Sequence, residues 1–79
     1  MSTLIKRVRV TTSDQIYTVE YYSKDRIRVL KDARNRGQLT LRTVYEGDEI
    51  TLGVGTPLWL WKNGMVILKT KEVNQIGEM

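Results

Sequence analysis

"SKDRIRVLKDARNRGQ", residues 23–38, admits two readings, and the choice between them sets the fold class. As a helix it has a capping residue at Ser23, a stop at Gly37, and Arg34 and Arg36 well placed in the last turn. On a helical wheel, however, Arg26 falls among Val29, Leu30 and Ala33 and breaks the apolar stripe. As a strand, Arg26-Ile27-Arg28-Val29 alternates polar and apolar residues and a polar loop follows. The strand reading is the better one. It makes the whole chain β.

The neighbouring segments obey the same period of two, with β-branched residues and Tyr between turn signals. Upstream, a turn at Thr12-Ser13-Asp14-Gln15 sets Thr11 opposite Ile16, Val10 opposite Tyr17, Val8 opposite Val19 and Arg7 opposite Glu20. Apolar residues then meet on one face, and an Arg–Glu pair meets on the other. This predicts strands over about 4–11 and 16–22.

Downstream, the third strand needs a partner in "QLTLRTVYE" (38–46). An even loop from Asp32 to Gly37 puts Ile27 opposite Arg42, on the wrong face. An odd loop, with Gly37 as a bulge residue, gives Val29 opposite Leu39 and Ile27 opposite Leu41. A turn at Glu46-Gly47-Asp48-Glu49 then pairs Tyr45 with Ile50, Thr43 with Leu52 and Leu41 with Val54. Ile27, Val29, Leu39, Leu41, Ile50, Leu52 and Val54 would share one apolar face. Gly53 and Gly55 mark a bend or a close backbone approach.

The last hairpin is "PLWLWKNGMVILK" (57–69), in which Asn63-Gly64 supplies two residues that tolerate positive φ. Trp61 is expected opposite Val66 and Trp59 opposite Leu68, with Leu60 facing Ile67 and Leu58 facing Lys69 on the other side. Both faces of this hairpin are apolar, unlike those of every other strand. Leu58, Trp59, Leu60, Trp61, Met65 and Ile67 are therefore the candidate surface for self-association or a protein partner, since monomers seldom leave large apolar patches uncovered. The competing explanation is that "TKEVNQIGEM" (70–79) folds over one face through Val73 and Ile76.

Some seven short strands in one domain of 79 residues predict an all-β protein, a small antiparallel barrel or compact sandwich. In strand number and length it resembles the SH3-like small barrels, a likeness of architecture that carries no function. So small a domain buries a modest share of its surface. The chain has no Cys and no His, which removes disulfides, the usual zinc ligand sets and the Ser-His and Cys-His nucleophiles. Self-association is the remaining staple.

No catalytic residue, metal ligand or cofactor site is assigned. Asp48 and Glu49 adjoin at a turn and Asp25 and Asp32 flank a strand, as exposed turn acids ordinarily do. "GDEITLGVG" (47–55) lacks the spacing of a phosphate loop. The expected role is binding.

The charge layout suggests one ligand class. Residues 1–42 hold ten Lys/Arg against four Asp/Glu, or +6, and residues 43–79 hold three against five, or −2. In the expected register Arg26, Arg28, Thr40 and Arg42 share the face opposite the apolar one, with Arg26 across from Arg42. Arg34 and Arg36 flank them, with Lys24 and Lys31. Arg suits bidentate phosphate contacts, and Tyr21, Tyr22 or a Trp could stack on bases. RNA or DNA is thus the first expected partner, through Arg26, Arg28, Arg42, Arg34 and Arg36. The alternative is a homo-oligomeric assembly or adaptor subunit that uses the Trp hairpin, with the basic face merely solvated.

"MSTLIKRVRV" lacks the apolar run of a signal peptide, and no stretch is long enough to span a membrane. An intracellular, cytoplasmic protein is expected. The hydrophobic share of 41% against 28% charged favours a folded domain over disorder.

Overall fold

The structure is a computed structural model that describes residues 4–31 and 43–78. Its elements are β1 (Lys6–Thr12), β2 (Ile16–Ser23), β3 (Arg26–Lys31), β4 (Thr43–Gly47), β5 (Glu49–Thr51), β6 (Pro57–Lys62) and β7 (Met65–Glu78). The fold is all-β. All seven strands pair antiparallel in the order β4-β3-β2-β1-β7-β6-β5. Among the described residues no helix is long and apolar enough to cross a membrane.

The first hairpin has the expected register, from Arg7 opposite Glu20 to Thr11 opposite Ile16. Its turn is held by Thr12, whose hydroxyl donates to Asp14 Oδ1 at 3.0 Å and accepts from the Gln15 amide at 3.1 Å. Val8, Val10, Tyr17 and Val19 point inward and are buried. Burying apolar side chains of this size stabilises by roughly 1.5–3 kcal/mol each, so one matched face secures the pairing.

Arg26–Lys31 is a strand and not a helix, but its partner differs from the expected one. Val29 lies opposite Tyr45 and Ile27 opposite Gly47, six positions further along than Leu39 and Leu41. A shift of an even number of residues keeps the same side chains inward, so alternation alone does not distinguish the two registers. Leu39, Thr40, Leu41 and Arg42 lie outside the described residues.

The expected turn at residues 46–49 is also corrected. The chain bends at Asp48 but does not fold back on itself: β4 pairs with β3 and β5 pairs with β6. These two strands stand at opposite ends of the sheet order yet adjoin in sequence. The sheet is therefore curled into a half-barrel. Gly47 makes the junction possible, because a Cβ there would collide with the Trp61 carbonyl oxygen. The Asp48 amide donates to that same oxygen at 2.9 Å.

Gly55 adopts φ +91° in the bend before β6, and Thr56 returns a hydrogen bond to the Gly53 carbonyl. Ile50 and Leu52 pack against the core, whereas Val54 is exposed in that bend. The C-terminal strand completes the structure. β7 pairs with β6 through its first half and with β1 through its second, where Val73 is buried and Ile76 packs on the core.

Candidate interaction surface

The β6–β7 hairpin forms as its turn residues dictate, with Asn63 at φ 52° and Gly64 at φ 77°. Trp61 lies opposite Val66, as expected, and then the register slips. Leu60 meets Leu68 and Trp59 meets Lys69, so Ile67 is the extra residue of a β-bulge. A one-residue slip exchanges faces. Leu68 thereby turns inward beside Leu60 instead of joining Trp59.

This decides which face of the hairpin is core. Leu58 and Leu60 are wholly buried, so these two are removed from the candidate surface. Trp59 and Trp61 project outward, half-buried, with ring centroids 6.1 Å apart and planes 19° from parallel. Lys69 Nζ sits 4.6 Å from the Trp59 ring centre, a cation–π contact. The outer face reads as two cross-strand rows, Glu49–Trp61–Val66 and Thr51–Trp59–Lys69. The Trp61 Nε1 atom is buried without a hydrogen-bond partner among the described residues. Such a donor is costly to leave unmet.

At the hairpin tip, Met65, Val66 and Ile67 are 71%, 39% and 38% exposed. Successive strand residues point to opposite faces. Met65 and Val66, successive and both exposed, therefore mean that both faces at the tip stand clear of the core, with the bulged Ile67 exposed beside them. Sequence reasoning placed Met65 and Ile67 here but missed Val66, Lys69, Glu49 and Thr51, which only the bulge and the β5–β6 pairing bring to the Trp rings.

The Arg face is built differently from expectation. Arg7, Glu20, Arg28 and Glu46 stand side by side across β1–β4, a row of alternating sign. Glu20 is buried; it accepts from Arg7 Nε at 3.0 Å and from the Tyr22 hydroxyl at 2.9 Å. Arg26 pairs with Glu46 at 3.5 Å. Arg28 is the exception. Its guanidinium lies 5.9 Å from the Tyr22 ring centre, and its Nε is buried with no hydrogen-bond partner among the described residues. Tyr22 is thus beside an arginine, while Tyr21 packs on the core under Lys6. Arg34, Arg36 and Arg42 lie outside the described residues.

An open cleft of about 330 Å³ lies between the β2–β3 turn, the β4–β5 junction and the final hairpin, lined by Asp25, Arg26, Glu46, Asp48 and Lys62 among others. Its charges are mixed, and among the described residues no acidic cluster is arranged to hold a metal. The perturbed titrations lie elsewhere. Burial raises the Tyr17 and Tyr21 phenols above the ordinary range, and the Thr12 hydroxyl, helped by Lys71, lowers Asp14.

No protein-family model matches this chain, and no curated protein or solved structure matches it either.

Proposed function

We propose that this chain is a non-catalytic binding module that self-associates through its β6–β7 hairpin. The observation that carries this reading is the outward-facing Trp59–Trp61 pair, continued by the exposed Met65, Val66 and Ile67 at the tip. Each Trp side chain can bury about 150–250 Å², and aromatic and Met residues are enriched where proteins meet. The test is solution mass by light scattering across a dilution series. A mass above one chain that falls on dilution is expected, and truncating the exposed tip, Met65→Ala/Val66→Ala/Ile67→Ala, should weaken association tenfold or more. A chain that stays monomeric at the highest concentration overturns the reading.

A second reading, nucleic-acid binding, is favoured by Arg28. It stands beside Tyr22 with an unmet donor, while both neighbouring carboxylates are engaged by other residues. The alternating charges of that row weaken the case for a uniformly cationic face. Binding of mixed oligonucleotides should fall steeply with salt, because phosphate contacts release counterions, and the slope should shrink in Arg28→Ala. Absence of binding at low salt sinks this second reading.

A further inference from the structure

β1 ends at Thr12, opposite Val73, and the first turn is tied to β7 just beyond it by the Asp14–Lys71 ion pair at 3.5 Å. Residues 65–70 of β7 continue past that point. They pair with β6 on one edge, and among the described residues no strand pairs with the other. A strand edge left open presents unpaired N–H and C=O groups that template another strand. Natural edges are shielded by charge, Pro, a bulge or a cover, and here the bulge at Ile67 is a backbone irregularity along the segment. "MVILKT" (65–70) carries no Pro and one charge, Lys69, and its first three residues are the exposed apolar ones.

We infer that a second copy of this chain adds its own residues 65–70 to this edge, antiparallel and about a two-fold axis. The inference rests on the self-association reading above and specifies its geometry. Three observations select a second copy as the occupant. The segment is already an extended strand, so pairing with itself costs little further ordering and satisfies two open edges at once. Any antiparallel register centred on Met65, Val66 or Ile67 sets Lys69 opposite an uncharged residue or none, so no like charges face each other. The exposed Met65, Val66 and Ile67 would each gain an apolar cross-strand neighbour from the second copy. Joining two copies makes one sheet in the order β5-β6-β7-β7-β6-β5, with the Trp59–Trp61 rows of both copies on the same face. The interface is isologous and closes at two chains.

The absence of native Cys permits a direct test with single substitutions. Opposed antiparallel residues have Cα atoms about 4.5–5.5 Å apart, within the disulfide range of about 4.4–6.8 Å. A residue on the axis faces itself. Met65→Cys, Val66→Cys, Ile67→Cys and Trp59→Cys are each oxidised mildly at a concentration where the mass exceeds one chain. At least one of the three β7 variants should become mostly cross-linked, while Trp59→Cys remains mostly single. Ile67→Lys, a substitution at an exposed position, should raise the dissociation constant tenfold or more while the melting temperature of dilute protein shifts by only a few degrees. If the chain associates but cross-links best through Trp59→Cys, or through none of the four, edge pairing is overturned and self-association stands. If the chain is monomeric throughout, both fall.

Discussion

The Asp48 carboxylate accepts a hydrogen bond from the Asn63 amide at 3.0 Å, across fifteen positions of sequence. The same residue's amide donates to the Trp61 carbonyl. One residue thus ties the strand junction to both the turn and the last strand residues of the hairpin. Asp48→Ala removes one of these two bonds and leaves the other. A loss of about 1 kcal/mol is expected, which lowers the melting temperature by about 4–8 °C in a domain of this size. Thermal unfolding measured by far-ultraviolet dichroism checks it; no change would show that the clamp is ornamental.

Gly47→Ala should cost more. Its added methyl meets the Trp61 carbonyl and the Leu60 side chain, so backbone must move. Overpacking of this kind costs about 1–3 kcal/mol. Gly77→Ala is the control, since a Cβ there meets nothing within 4 Å, and its effect should stay within about 0.5 kcal/mol. Equal losses at the two glycines would contradict the curled junction.

Leu60→Ala and Trp59→Ala separate the two faces of β6. Leu60 is wholly buried and its truncation should cost about 2–5 kcal/mol. Trp59 faces outward, so its truncation should destabilise the monomer by less than half as much in urea denaturation. A larger loss at Trp59 would return the rings to the core.

The pH dependence has a definite sign at each end. Burial raises Tyr17 and Tyr21 in the folded state, with Asp14 and Tyr45 adding to the effect at Tyr17. A raised folded pKa means that stability is fully present below the unfolded value of about 10, and is lost as pH rises through the folded values. The melting temperature should therefore fall above about pH 10, and Tyr17→Phe should flatten part of that fall. Asp14 is depressed by the Thr12 hydroxyl, with Lys71 assisting. Its contribution is present above about pH 3.9 and is lost as pH falls through the lower folded value. Asp14→Asn should change only the acid limb, and slightly, because the group is exposed.

These residues also show why some of the fold was legible in the sequence and some was not. Arg7–Thr12 and Ile16–Glu20 alternate on both sides of a four-residue turn, so only one register buries Val8, Val10, Tyr17 and Val19 together. Ile27 and Val29 were correctly sent inward, but an alternating partner fits equally well six positions away, and nothing local separates Leu39 from Tyr45. Glu46-Gly47-Asp48-Glu49 has the composition of a turn, although its glycine answers a neighbouring backbone across the barrel. In the final hairpin every residue near the bulge is apolar, so a slip at Ile67 leaves the pattern unchanged to the eye. The candidate surface was legible as a place; which side of the hairpin it occupies was a tertiary outcome.

Val8 pairs with Glu78, seventy positions away, while Val73 fills a core that β1 and β2 line from the other end of the chain. Contacts of such separation form only after a large loop has closed, which slows folding. During synthesis the β1–β2 hairpin therefore emerges with one flank unpaired and waits for residues 73–78 to follow. Until β7 arrives the β1 edge is open, and that interval is when it most needs shielding from its neighbours.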